Sequence, residues 1–391
     1  MNVQLWVEYI LRFSHLVAGI AWIGSSFYFI WLDSSFEAPA VPRRNVEGEL
    51  FMVHGGFYYL VEKRKLYPGE LPKTLHWFKW EATLTWITGL FLLIALYYLR
   101  GASLMIDTQV GNISQLQAVG LSLGGIAVSW LIYDLIWNVR IVSSRAVSTI
   151  LSVIFFTGLI YLNTRLFSGR GAFIQTGAVF GTIMLLNVWI RILPGQKKMF
   201  KAAEAGQIPD YSASLKSKIR SVHNTYFTFP VLFIMLSNHF PVVFNHPLNW
   251  LLLILLSVSG ALVRHAMVTK INRQRWTLLP AACGLAALMI MTAPKVMDDS
   301  GHPPVPFAQV HAIIESRCIT CHSAAPTDDV FKVPPKDLIL QSEEQIRAAG
   351  SRIYVQAIVS QAMPLGNKTQ MTTDERATLA RWLRQEGYQT P

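Results

Sequence analysis

Eight stretches of predominantly apolar residues, near 8–32, 80–99, 117–138, 146–164, 172–193, 221–240, 249–269 and 276–294, dominate this sequence. Each approaches or exceeds the roughly 20 residues that a helix needs to cross a hydrocarbon core. Inside a bilayer every backbone N–H and C=O must find its partner within the protein, so a chain with this repeat is expected to form a bundle of spanning helices. Composition agrees, with 52% hydrophobic and 15% charged residues, a balance far from that of soluble domains. The first stretch reads as a genuine span: Met1 to Glu8 carries no Lys or Arg, and the apolar run outlasts the core of a cleaved leader. Gly120 with Gly124, and Gly177 with Gly181, have the spacing of helix-packing contacts. Trp77, Trp80 and Tyr97 suit an interfacial aromatic belt.

Basic residues set the expected orientation. The connections at 33–79, 139–145, 194–220 and 270–275 hold seven, two, six and three Lys or Arg, whereas those at 100–116, 165–171 and 241–248 hold one, two and none. Positive loops stay in the cytoplasm, so the first set is read as cytoplasmic and both termini as periplasmic. The net charge of +11 is then mainly a topology signal, and no nucleic-acid partner is called for. The bilayer itself is the expected surrounding.

From Ser300 onward the character changes. Pro303, Pro304 and Pro306 suit a short stiff linker, followed by polar sequence with amphipathic segments. This divides the chain into an integral-membrane part, 1–299, and a tail, 300–391. Phe307–Arg317 reads as a helix leading into "CITCH", Cys318 to His322. Two thiols three residues apart can form thioethers to heme vinyl groups while the adjacent imidazole ligates the iron. A zinc or redox motif is the bland alternative for a bare Cys-x-x-Cys. Periplasmic placement and a downstream Met-Pro favour heme c in a small class I-like cytochrome c domain.

For the sixth ligand, Met363 is favoured over Met371. Pro364 keeps the Met363 loop out of helix, whereas Met371 precedes a capping box formed by Thr372 and Glu375. The last helix, 373–386, should bury Leu379, Trp382 and Leu383. The remaining cysteine, Cys283, reads as a small apolar residue within the eighth stretch.

Ionisable groups inside spans are costly and usually functional. On the expected cytoplasmic side lie His76, Lys79, Glu81, Asp134, Asn138, Arg140, Asn187, Arg191, His223, Asn224, Tyr226, Arg264 and His265. Toward the other side lie Arg12, His15 and His239. Paired histidines at one depth could ligate heme b, which makes His223 with His265, and His15 with His239, candidates for one or two such groups. Each histidine alone could equally be a hydrogen-bonded interfacial imidazole. His54, beside Gly55 and Gly56 in "VHGGFYYLVEKRK", is a further candidate with His76; the glycines suit a ligand approach, or equally a plain turn or the start of a helix.

"FSHLVAGIAWIGSSFYFIWLD" at 13–33, "VHGGFYYLVEKRKL" at 53–66, "LHWFKWEATLTWITG" at 75–89 and the terminal "RCITCHSAAP" with "AMPLGNKT" resemble the membrane-bound urate oxidase family, bacterial proteins with a membrane domain fused to a cytochrome c. The resemblance implies purine breakdown at the inner membrane: oxidation of urate to 5-hydroxyisourate, with electrons passed to the fused heme c and on to a periplasmic acceptor such as a soluble cytochrome c or a terminal oxidase. On that reading Arg264, Arg191 and Asn138 would bind the flat urate anion. His223, His265 and Asp134 would supply the base chemistry.

Two other classes compete: a quinol-to-cytochrome c electron carrier without urate chemistry, and a transporter-like protein or metal-export helper with a regulatory tail. The Arg, Asp and Asn cluster favours an anionic substrate over a quinone, whose site would be apolar and open to lipid.

Overall fold

The computed structural model describes residues 3–99, 102–138, 142, 144–268, 272–293, 301 and 303–388. Arg140 and the expected boundary between residues 299 and 300 lie outside the described residues.

The chain is mostly helical. Among the described residues, six helices are long and apolar enough to cross a membrane. They are α1 (Val3–Ser35), α2 (Trp80–Leu93) continued to Tyr98, α3 (Gln115–Ile136), α4 (Arg145–Leu166), the run from α5 (Gly169–Leu186) through a π-helical stretch at Asn187–Ile192 into α6 (Leu193–Glu204), and α9 (Asn249–Val268). Their outward side chains, such as Ile150, Val153 and Ile154 of α4, are apolar and exposed, as suits a lipid-facing surface.

The two other expected spans coincide with helices of a different kind. α7 (Ser212–Ser237) is 26 residues long but begins with Lys216, Lys218 and Arg220, and Pro230 lies inside it. α10 (Leu278–Met291) has 14 residues. The connection expected at 194–220 is helical as far as Glu204, because Leu193, Met199 and Ala203 give α6 a buried face.

One element departs from an all-α reading. β1 (Val46–His54) and β2 (Phe57–Arg64) form an antiparallel hairpin in which His54 faces Phe57. Gly55 and Gly56 close it at φ +60° and +81°. Those left-handed angles are what a two-residue hairpin turn demands, so the glycines here make a turn.

The chain divides into two compact units. The first comprises residues 1–92, 178–232 and 257–283, the second 93–177, 233–256 and 284–391.

In the first unit α1 meets α2 where Gly89 leaves room for the His15 ring; a Cβ there would lie 2.9 Å from His15 Cε1. α7 and α9 touch where Gly260 faces Phe229 and Pro230, a Cβ on it coming within 2.9 Å of the Phe229 Cβ.

In the second unit three short connections interlock. Ser168 donates its N–H to Met105 O at 2.7 Å and its hydroxyl to Leu104 O at 2.7 Å. A Cβ at Gly169 would sit 1.9 Å from Phe244 O, in α8 (Pro241–Phe244), and one at Gly171 2.9 Å from Met105 Cα. Only glycine permits these approaches.

The tail has its own core. α11 (Phe307–Arg317), α12 (Glu343–Ala348), α13 (Gly350–Ile353) and α14 (Thr373–Gln385) enclose Val310, Ile314, Ile346, Leu379, Trp382 and Leu383. Each such side chain contributes roughly 1.5–3 kcal/mol. The expected capping box is present, with Thr372 and Glu375 exchanging bonds at the start of α14. Glu375 also receives Arg317 through Nε and Nη2, which ties α11 to α14.

Candidate functional site

The sequence-predicted heme c residues sit together at the end of α11. The Cys318 N–H continues the helix to Ile314 O, and the chain then coils so that the N–H groups of Cys321 and His322 both reach Cys318 O, at 3.2 and 2.9 Å. One turn therefore presents both thiols and the imidazole. His322 Nδ1 lies 3.0 Å from Leu338 O. A carbonyl only accepts, so Nδ1 carries the proton and Nε2 keeps a free lone pair, the arrangement of a metal-ligating histidine. Burial moves His322 below its ordinary value, toward the neutral form that ligates.

Burial, followed by the neighbouring Cys321, pushes the Cys318 thiol up to about 12; burial and then the Asp328 charge push Cys321 to about 11. A reactive redox pair lowers its thiol pKa, so this pair has the opposite character. The donor set fits a covalently held heme, with Cys318 and Cys321 as attachment points and His322 as a ligand.

The loop that carries Met363 is fixed by its backbone. Met363 N–H donates to Gln356 O at 3.0 Å, and Met363 O accepts from Arg376 Nη1 at 2.9 Å. The same Arg376 nitrogen also reaches Ala357 O. Met363 is half-buried, whereas Met371 is 3% exposed and packed in the tail core, its backbone clamped by the Asn367 side chain. Arg376 escaped sequence reasoning because an arginine in the first turn of an amphipathic helix reads as surface charge.

Asp328 was also missed. Its side chain is 2% exposed, accepts the N–H groups of Val330 and Phe331, and pairs with Lys368 at 2.7 Å. Burial alone would raise this carboxyl, but Lys368 and the two N–H groups outweigh it and hold the group at about 2, below the ordinary 3.8. A depressed carboxylate stabilises the fold above the unfolded value, and that contribution is lost as pH falls through the folded one. The shift is worth at most about 2 kcal/mol before solvent screening. Hydrogen-exchange protection of the tail segment, corrected for the intrinsic pH dependence of amide exchange, should therefore fall between about pH 4 and pH 2, and Asp328→Asn should flatten that dependence while lowering protection at pH 6.

In the first unit the polar candidates converge in part. Arg264 is 2% exposed, with its guanidinium carbon 3.9 Å from the Phe27 ring centroid. Its Nε and Nη2 are buried and meet no hydrogen-bond acceptor among the described residues. The next residue, His265, shares a 2.6 Å hydrogen bond with the Tyr226 hydroxyl through Nδ1. Asn187, fully buried where α5 turns π-helical, donates to Asn224 Oδ1 at 2.8 Å, and Asn224 donates to Met184 O. Such π-turns often mark functional sites. Arg264 stacking on Phe27 had no signal in the sequence beyond the aromatic run of α1.

The remaining candidates have varied settings. His223 is half-buried one turn before Tyr226 on α7, and Arg191 is exposed. His15 Nδ1 is held by Thr85 O at 3.0 Å and Thr88 Oγ1 at 3.1 Å, which fixes its ring. His54 and His76 are exposed. Asp134, Asn138 and His239 belong to the second unit, the first two half-buried and His239 exposed.

No curated protein and no solved structure matches the chain. The family described as urate oxidase N-terminal matches residues 2–294. Because that match spans well over half of the sequence, the chain belongs to the urate oxidase N-terminal family.

Proposed function

We propose that the protein oxidises urate to 5-hydroxyisourate in the first unit, as a multi-pass protein of the bacterial inner membrane, with a heme c on the tail as the electron acceptor. The observation that carries this reading is Arg264: a buried guanidinium inside a membrane-length helix, with two nitrogens that meet no acceptor among the described residues. A buried charge left without acceptors is costly, and a planar anion with carbonyl oxygens completes it in a bidentate manner. Family membership supports urate as that anion.

Urate monoanion and water give 5-hydroxyisourate, two electrons and one proton. The Tyr226–His265 pair suits the proton: the tyrosine hydroxyl can pass its own proton to Nδ1 as it takes up another. Phe27 offers an apolar wall beside the guanidinium. Asn187 and Asn224 add amide groups on neighbouring helices. When bound at Cys318, Cys321 and His322, heme supplies one-electron redox chemistry. A heme b on the intramembrane histidines is a further proposed cofactor, and a periplasmic cytochrome c or terminal oxidase the proposed final acceptor.

The test is urate binding to the full-length protein in detergent, measured by equilibrium dialysis. A hydrogen bond to a charged group is worth about 1.5–3 kcal/mol, so Arg264→Gln should weaken binding roughly 10- to 100-fold. Arg264→Lys should weaken it less. Undiminished binding in Arg264→Gln would sink this site. Should the unmodified protein bind no urate yet be reduced by a quinol, the electron-carrier reading prevails.

A further inference from the structure

The tail belongs to the same compact unit as residues 93–177 and 233–256 of the family-matched part. Two of its contacts with them flank the loop that bears Met363. Three residues before Met363, Ser360 O accepts a 2.9 Å hydrogen bond from Asn245 Nδ2. Three residues after it, Gly366 approaches the family part so closely that a Cβ would lie 2.7 Å from Ile106 O and 3.7 Å from Ser103 O.

The two anchor points share one foundation. Asn245 follows α8, whose Phe244 O abuts Gly169; Ile106 follows Met105, whose carbonyl takes the Ser168 N–H. Both therefore rest on the interlocked connections at 102–106, 168–171 and 241–245. The loop itself is held in a conformation that side chains resist: Gln361 has φ +49°, Gly366 φ +55° and Asn367 φ +44°. Left-handed residues in such numbers persist only where surroundings over-determine the backbone. From within the tail, Arg376 grips Met363 O. From outside it, Asn245 and the Ile106 carbonyl hold the flanks.

We infer that Asn245 and Gly366 are positioning residues for the axial methionine, so that the family part, and not the tail alone, sets how Met363 is presented to a heme at His322. This rests on the reading of Met363 as the sixth ligand. It makes the tail a docked domain with its methionine side facing its own family part. Any mobile external partner would then have to approach elsewhere.

Full-length protein in native membranes, with Cys283→Ala as background, provides the test. Ser103→Cys with Leu365→Cys should be joined within one chain by a short bis-maleimide, at a rate independent of protein concentration. Adding Gly366→Ala should slow this cross-link several-fold and weaken the red-edge absorption band that marks sulfur-to-iron ligation. Gly387→Ala is the matched control: Gly387 also has a left-handed φ, +83°, but a Cβ there meets nothing within 4 Å. It should change neither reading.

Failure to cross-link while both thiols react with a monofunctional maleimide would overturn the contact. Equal behaviour of the Gly366 and Gly387 variants would overturn the positioning role. Efficient cross-linking in the Ser103→Cys, Leu365→Cys protein with Gly366 intact, but with no sulfur-to-iron band, would overturn the positioning role together with the Met363 reading, and leave the contact standing.

Discussion

Replacing Cys318 and Cys321 together by alanine should abolish covalently attached heme, the family part staying inserted in the membrane. The two parts draw their stability from different sources. The membrane-length helices satisfy their own backbone hydrogen bonds and bury their own contacts, whereas a thioether needs a thiol at each position. The tail core at Val310, Ile314, Leu379 and Leu383 does not include Cys318 among its buried members, though Cys318 packs against it. The polypeptide therefore still collapses locally without the sulfurs. Heme staining after denaturing electrophoresis reads the result: no band in the double variant, and a weakened but present band in either single variant, each of which keeps one attachment point. A covalent band surviving in the double variant would rule out this attachment site. Because the substituted positions lie outside residues 2–294, urate binding measured by dialysis should be unchanged.

Met363→Ala and Met371→Ala are expected to fail in opposite ways. Met363 is half-buried on a loop that backbone bonds hold from three sides, so truncating its side chain leaves the fold intact. What it removes is a thioether, a ligand that favours ferrous iron. The reduction potential should fall by roughly 0.1 V or more, and the sulfur-to-iron band should vanish. Met371 is 3% exposed in the apolar core. Its truncation opens a cavity and should destabilise the tail by about 2–5 kcal/mol with the band retained. Potentiometric titration and chemical denaturation on the same preparations separate the outcomes. A band lost only in the Met371 variant would reverse the assignment.

Much of the fold was legible because its signals are local. A membrane-length apolar run, a Thr-x-x-Glu before an amphipathic helix, and a Cys-x-x-Cys-His after one are each read within a few residues, and α11 and the start of α14 stand where the pattern puts them. The hairpin was not recognised, although Gly55–Gly56 between two β-rich runs is its ordinary signal. α7 shows the converse limit: its basic first half lowers hydropathy while α9 and the π-turn of α5 still engage it, through Gly260 and Asn187. The candidate site was legible as residue types and illegible as pairs. Nothing along the sequence says that Tyr226 would take His265 as its partner, or that Arg264 would lie over Phe27 with two nitrogens that meet no acceptor among the described residues. Such pairings depend on helix rotation, which the packing of small residues decides.

Pro230 leaves a mark on the chemistry of α7 as well as on its shape. In a helix the carbonyl of residue 226 is served by the amide of residue 230, and proline has none to give. The backbone oxygen of Tyr226 is thus released from the ladder in the very residue whose hydroxyl engages His265. It is an acceptor written into the main chain. Mutating Tyr226 deletes the phenol and leaves this oxygen in place. Only a change at position 230, which restores the missing amide, can take it away.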